Sequence, residues 1–76
     1  MLNVSEMERI LDGSLGMPPQ DADMLASHMK HKKKQNQAFI EEVENKDIVG
    51  NFKSVYGELK RQNEIINEFQ RRYGNA

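Results

Sequence analysis

The C-terminal third of the chain carries an apolar repeat whose steps alternate between four and three residues. Its positions are Ile48, Phe52, Val55, Leu59, Gln62, Ile66, Phe69 and Tyr73, and Gln62 is the one polar member. Such a repeat places its side chains on one stripe of an α-helix and is typical of coiled coils and helical bundles. Val49, Tyr56 and Ile65 widen the stripe, which favours a bundle. The repeat predicts a helix over residues 47–73 that must bury this face.

A second long helix is predicted over residues 19–45. Pro18 and Pro19 suit the first turn of a helix, and no breaker follows until Asn45. The best stripe of this helix is apolar at both ends and polar in the middle. Its members are Ala22, Leu25, Met29, Lys32, Asn36, Phe39 and Val43.

The two stripes are out of phase, which predicts a turn between them. The second helix cannot simply continue, because its stripe would then place Lys46, Gly50 and Lys53 in a core. Asn45 can adopt the left-handed conformation that ends a helix, and Asp47 can cap the next one. We therefore predict an antiparallel hairpin of helices 19–45 and 47–73.

A tight turn at this point would fix the register of the hairpin. Val43 would lie beside Ile48 and Phe39 beside Phe52. In the middle, Lys32 and Asn36 would face Leu59 and Val55, so that two aliphatic side chains meet polar ones. Small monomeric proteins rarely leave such an apolar strip uncovered. The register predicts a further cover for Val55 and Leu59.

The N-terminal region offers one such cover. Ser5 and Glu8 match a capping box and predict a short helix over residues 5–13, followed by a Gly/Pro-rich linker over 14–18. This region supplies four large apolar side chains: Met7, Ile10, Leu11 and Leu15. The other candidate cover is a second copy of the hairpin.

A chain of 76 residues without cysteine has few ways to stabilise itself. A domain of that size buries only about 60% of the surface of its unfolded chain, and no disulfide can compensate. We predict one small all-α domain over residues 1–76 that is completed to a bundle by self-association. The expected state is a homodimer or a higher homo-oligomer, with a helical protein as a further possible partner.

No catalytic constellation appears in the sequence, so we predict a protein that is not an enzyme and that needs no cofactor. His28 and His31 lie on one helix face, but two ligands do not complete a metal site, and no cysteine or third histidine exists. No apolar stretch is long enough to span a membrane. The expected location is the cytoplasm, or a virion if the protein is phage-encoded.

A basic run, Lys30, Lys32, Lys33 and Lys34, is the candidate site for nucleic acid. Three arguments oppose that interpretation: the run contains no arginine or aromatic residue, acidic residues follow it at once, and the formal net charge of the chain is −1. The alternatives are an ordinary solvated helix face and a surface for an acidic protein.

The favoured function is therefore a protein-protein interaction module of adaptor, chaperone, scaffold or regulatory type. The predicted partner-binding residues lie on the stripe of the C-terminal helix: Val49, Phe52, Val55, Tyr56, Leu59, Gln62, Ile66 and Phe69. The outline resembles that of small plasmid copy-control proteins, in which a helical hairpin pairs with itself into a four-helix bundle. It also resembles small secretion chaperones and phage scaffolding proteins, so a bacterial or phage origin is expected.

Overall fold

The computed structural model describes residues 3–73, and every regular element in this range is helical. Three α-helices follow one another: α1 (Val4–Gly13), α2 (Pro19–Asn45) and α3 (Lys53–Tyr73). Short 3-10 helices, Ser14–Gly16 and Val49–Phe52, precede α2 and α3. The prediction of an all-α fold is confirmed. None of the helices in the described part of the chain is both long and apolar enough to cross a membrane.

The N-terminus of α1 is capped by Asn3, and the prediction of a cap at Ser5 is wrong. Asn3 Oδ1 accepts a hydrogen bond from the Glu6 amide at 2.9 Å, and Glu6 Oε1 accepts one from the Asn3 amide at 3.2 Å. Asn3-Glu6 and Ser5-Glu8 both have capping-box spacing, and asparagine caps as well as serine. The earlier cap brings the amide of Val4 within reach of a carboxylate on α3, as described below.

The connection between α2 and α3 also differs from the prediction. Asp47, rather than Asn45, adopts the left-handed conformation, with φ of 55°. α3 begins at Lys53 and not at residue 47, because Val49–Phe52 is wound as a 3-10 helix. This segment packs on α2, where the Phe39 and Phe52 rings meet edge to face at 5.8 Å. The predicted contact between these two rings is therefore present.

Beyond this contact α3 runs back along α2 in a register that differs from the predicted one. Asn36 Nδ2 donates to Gln62 Oε1 and to Asn63 Oδ1, both at 3.0 Å. The predicted neighbour of Asn36 was Val55, which lies seven residues earlier than Gln62. The turn and the 3-10 helix take up residues that the prediction had assigned to α3, so polar residues of both helices meet in one buried layer.

The main apolar cluster lies on the far side of this polar layer from the turn, and Ile40 and Val43 are buried on the turn side. The buried members of the cluster come from all three helices: Met7, Ala26, Met29, Ile65, Ile66 and Phe69. α1 lies parallel to α3, and side chains of α3 contact both ends of α1. Glu58 Oε2 accepts from the Val4 amide at 2.8 Å, and Arg72 Nη1 donates to the Leu11 carbonyl at 3.2 Å. An anion at the N-terminus and a cation at the C-terminus both suit the dipole of α1.

Candidate protein-interaction surface

The side of α3 that faces the core is covered over only part of its length. α1 has 10 residues and is about 15 Å long, whereas α2 has 27 residues and is about 40 Å long. α1 packs over the C-terminal part of α3, so the part near the turn has only α2 beside it. There Val55 is 47% exposed and Phe52 is 39% exposed. The 4,3 repeat therefore changes from core to surface within one helix.

An open groove of about 540 Å³ lies at this uncovered part, and we call it the turn-side groove. Its lining comes from α2, from α3 and from the N-cap of α1: Asn3, Lys32, Ser54, Val55, Glu58, Leu59 and Gln62. Val55 and Leu59 supply the apolar floor, and polar side chains surround them. An apolar centre with a polar rim is the usual composition of a protein-protein contact.

The two charged residues of the groove have different roles. Glu58 accepts from the Val4 amide and, at 2.6 Å, from Gln62 Nε2, so its carboxylate is held in place by α1 and by the polar layer. Lys32 is half-buried and has no carboxylate of the described residues within ion-pair distance. A partner with an acidic side chain near its own apolar contact residues would complement Lys32.

The structure divides the predicted partner-binding residues into three groups. Phe52 and Val55 are exposed, and Val49, Tyr56 and Leu59 are half-buried. Three others lie inside the chain's own core or polar layer, with exposures of 3% for Gln62 and 0% for Ile66 and Phe69. These three cannot touch a partner unless α1 or α2 moves away, so the candidate surface is narrower than the repeat predicted.

The four N-terminal side chains that the sequence offered as a cover also differ in their burial. Met7 is buried in the core, and Ile10 and Leu11 are half-buried against it. Leu15 is 85% exposed. α1 therefore does act as a cover, but for the region of Ile65 to Phe69 and not for Val55. The missing signal was the hairpin register, which decides which part of α3 the short helix can reach.

The basic run does not form one surface. Lys32 lines the turn-side groove, whereas Lys30, Lys33 and Lys34 line a different groove together with Gln37 and Gln70. Consecutive helical residues point in directions about 100° apart, which explains the separation. A nucleic acid on one face would meet three of the four lysines.

Among residues 3–73, no group of three or more histidine, aspartate or glutamate side chains is arranged to hold a metal ion. Comparisons of the chain with protein-family models, curated proteins and solved structures give no match. The surface itself is therefore the basis for any statement about function.

Proposed function

We propose that this protein is a non-catalytic protein-protein interaction module that binds through the turn-side groove, and that its first partner is a second copy of itself. One observation carries the proposal. Val55 stands at a core position of the 4,3 repeat and is 47% exposed, because no helix of the described chain covers it.

A homodimer would remove this exposure by symmetry. With the two hairpins side by side, Val55 and Leu59 of each copy would pack against the groove of the other, and the turn-side part would become a four-helix layer. Full burial of a Val, Leu or Phe side chain is worth about 1.5–3 kcal/mol relative to full exposure. Burial of the partly exposed Phe52, Val55 and Leu59 of each copy would therefore stabilise the dimer substantially.

The same groove would serve an adaptor, a chaperone, a scaffold or a regulator, because each of these classes binds a helical partner on an apolar surface. In the regulatory and scaffold classes the working form would be the homodimer or a larger assembly of it. In the chaperone class a client helix would replace the second copy.

Sedimentation velocity over a range of concentrations tests the proposal with the variant Val55→Asp. At high ionic strength, where ionic contacts between copies are screened, we expect the unchanged protein to show a concentration-dependent dimer and the variant to remain a monomer of 8.8 kDa. A charge at Val55 is tolerated in the monomer, where the side chain is half in water, but would be buried without a partner in the dimer.

Asn67→Asp is the matched control, because it places the same charge on an exposed position of α3. It should dimerise like the unchanged protein. Circular dichroism should show the same helix content for all three proteins. If the unchanged protein stays monomeric at every concentration, self-association through this groove is excluded.

A nucleic-acid-binding regulator is the second candidate, and the groove formed by Lys30, Lys33 and Lys34 favours it. Clustered lysines supply sequence-independent affinity for phosphates. The acidic residues that share this face of α2 oppose a polyanion, and they lead to a different partner for the same lysines.

A further inference from the structure

One face of α2 is divided into a basic and an acidic half. Asp23 lies on the same side of α2, two turns before Lys30. From Lys30 to Glu44, the charged or amide-bearing residues of the face are Lys30, Lys33, Lys34, Gln37, Glu41 and Glu44. At 3.6 residues per turn, all six lie within an arc of about 100°. The three lysines come first along the helix, the two glutamates come last, and Gln37 stands between them. We call this surface the charged face of α2.

Within residues 3–73, the lysines of this face have no partner of opposite charge. Lys30, Lys33 and Lys34 line a groove whose other members, Gln37 and Gln70, are neutral amides. No ion pair within the described residues includes any of the three. Lys46, by contrast, pairs with Glu42 four residues before it at 2.9 Å.

The charges on this face destabilise the helix that carries them. Lys30 and Lys34 are like charges four residues apart, a spacing that destabilises an isolated helix. Glu44 lies in the last turn of α2, where the helix dipole disfavours a negative charge. Alternating signs would have formed pairs within α2. Segregated signs leave these charges without a partner on their own face and available to another molecule.

We propose that the charged face of α2 binds the same face of a second copy in antiparallel orientation. With the two-fold axis at Gln37, Lys30 lies level with Glu44 of the second copy, and Lys34 lies within one residue of the level of its Glu41. Symmetry repeats both pairs, so four ion pairs form around one axis. Lys33 lies level with Glu41 of the second copy, next to Lys34.

Existing contacts hold the acidic half in a defined position. Glu44 Oε2 accepts a hydrogen bond from the Tyr56 hydroxyl at 2.5 Å, and the Lys60 ammonium lies 5.2 Å from the centre of the Tyr56 ring. Glu41 Oε2 accepts from Gln37 Nε2 at 3.3 Å. A carboxylate has two oxygens that each accept more than one hydrogen bond, so these contacts leave room for an incoming lysine.

This interface is separate from the turn-side groove and has different physics. Contact at the groove is centred on the apolar Val55 and Leu59 and should depend little on salt. Contact through the charged face is ionic and exposed at its edges, so salt should weaken it. A chain with two different self-binding surfaces can join copies alternately through each, which extends the proposed module from a dimer to a larger assembly.

Charge exchange tests the inference in the Val55→Asp background, where the groove no longer contributes. One variant carries Lys30→Glu, Lys33→Glu and Lys34→Glu, which makes the face acidic throughout. The other carries Glu41→Lys and Glu44→Lys, which makes it basic throughout. Sedimentation equilibrium at low and high ionic strength should show self-association of the background protein, weakened at least about tenfold by salt.

Each exchanged variant alone should be monomeric, and an equimolar mixture of the two should regain the association of the background protein. The control exchanges Glu42→Lys and Lys46→Glu, which reverses an ion pair away from the charged face and keeps the net charge. It should associate like the background protein. Circular dichroism should show the same helix content throughout.

Three results would overturn the inference: a background protein that is monomeric at all concentrations and salt levels, exchanged variants that associate unchanged, or a mixture that does not associate. A fourth replaces it with the nucleic-acid candidate. In that case duplex DNA or RNA binds the background protein, binds the all-basic variant more tightly and fails to bind the all-acidic one, while no variant self-associates. Failure of groove association leaves this test intact, because Val55→Asp is present throughout.

Discussion

The two halves of the α2-α3 pair contain the same kind of stripe and differ in what covers it. In the half that α1 reaches, Ile66 and Phe69 are fully buried. In the half near the turn, Val55 and Phe52 belong to the same 4,3 repeat and remain exposed. Two packed helices leave part of each apolar stripe in water, and a third is needed to enclose it. The repeat thus determines which face of α3 is apolar. The number of helices packed at each point along α3 determines which part of that face is buried.

The polar layer marks the border between the halves. Asn36, Gln62 and Asn63 are buried, and Asn36 donates a hydrogen bond to each of the other two. Gln62 in turn donates to Glu58, which accepts from the Val4 amide at the N-terminus of α1. On one side of this layer the chain is a three-helix core. On the other side only α2 and α3 pack together: Ile40 and Val43 are buried there, and the turn-side groove is open.

Removing one phenylalanine from each half should give very different losses of stability. Phe69→Ala empties a fully buried site, and such changes cost about 3–5 kcal/mol, which is enough to unfold a domain of this size. Phe52→Ala removes a ring that is 39% exposed and should cost about 1–2 kcal/mol in the monomer, in proportion to its partial burial. Urea denaturation followed by circular dichroism measures both changes in the free energy of unfolding.

Phe69→Leu keeps the comparison measurable if Phe69→Ala does not fold, because it removes less volume. Measurements belong at low protein concentration, where a dimer would not add stability through Phe52. Equal losses at the two positions would show that the halves are packed alike and would remove the basis for a distinct binding surface near the turn.

Substitutions in the polar layer, at the border between the halves, should give the next largest loss of stability. Asn36→Ala leaves the side-chain oxygens of Gln62 and Asn63 without the donor that they share, and a buried polar group without its partner costs about 1–3 kcal/mol. Asn67→Ala is the control, since Asn67 is exposed on α3 and should change stability by less than about 0.5 kcal/mol.

A double-mutant cycle with Gln62→Ala separates this bond from the loss of packing. We expect the losses of Asn36→Ala and Gln62→Ala to be non-additive, with a coupling of about 0.5–3 kcal/mol. Strict additivity would mean that the polar layer does not act as a unit, and its part in fixing the register would have to be abandoned.

The order of the helices could be predicted from the sequence, but the register in which α2 packs on α3 could not. Stripe periodicity and the breakers at Pro18 and Asn45 indicate where the long helices lie. A heptad repeat, however, matches its partner equally well after a slip of seven residues. The length of the turn decides between these registers, and nothing marked Val49–Phe52 as a 3-10 helix. Pairing Asn36 with Gln62, polar with polar, would have given the observed register.

The candidate site was predictable to a similar extent. That α3 has more apolar positions than α2 can cover follows from the two stripes, and the structure leaves Val55 exposed accordingly. Which residues escape burial depends on where α1 docks. That position depends on Glu58 and Arg72, whose contacts with Val4 and Leu11 span more than fifty residues of sequence and follow no periodic pattern.

The smallest expected effect concerns Gly57, on the face of α3 opposite the 4,3 repeat. Gly57 lies in the interior of α3, and a Cβ added there would meet no atom within 4 Å. Gly57→Ala should therefore raise the free energy of unfolding by about 0.5–1 kcal/mol, because glycine is the poorer helix former. Thermal denaturation and sedimentation velocity on the same samples would show whether it also changes association. With partners at the turn-side groove and at the charged face of α2, the dimer should form as before. Weaker association of a more stable monomer would instead show that a partner helix approaches the glycine side of α3, and would move the binding surface away from Val55.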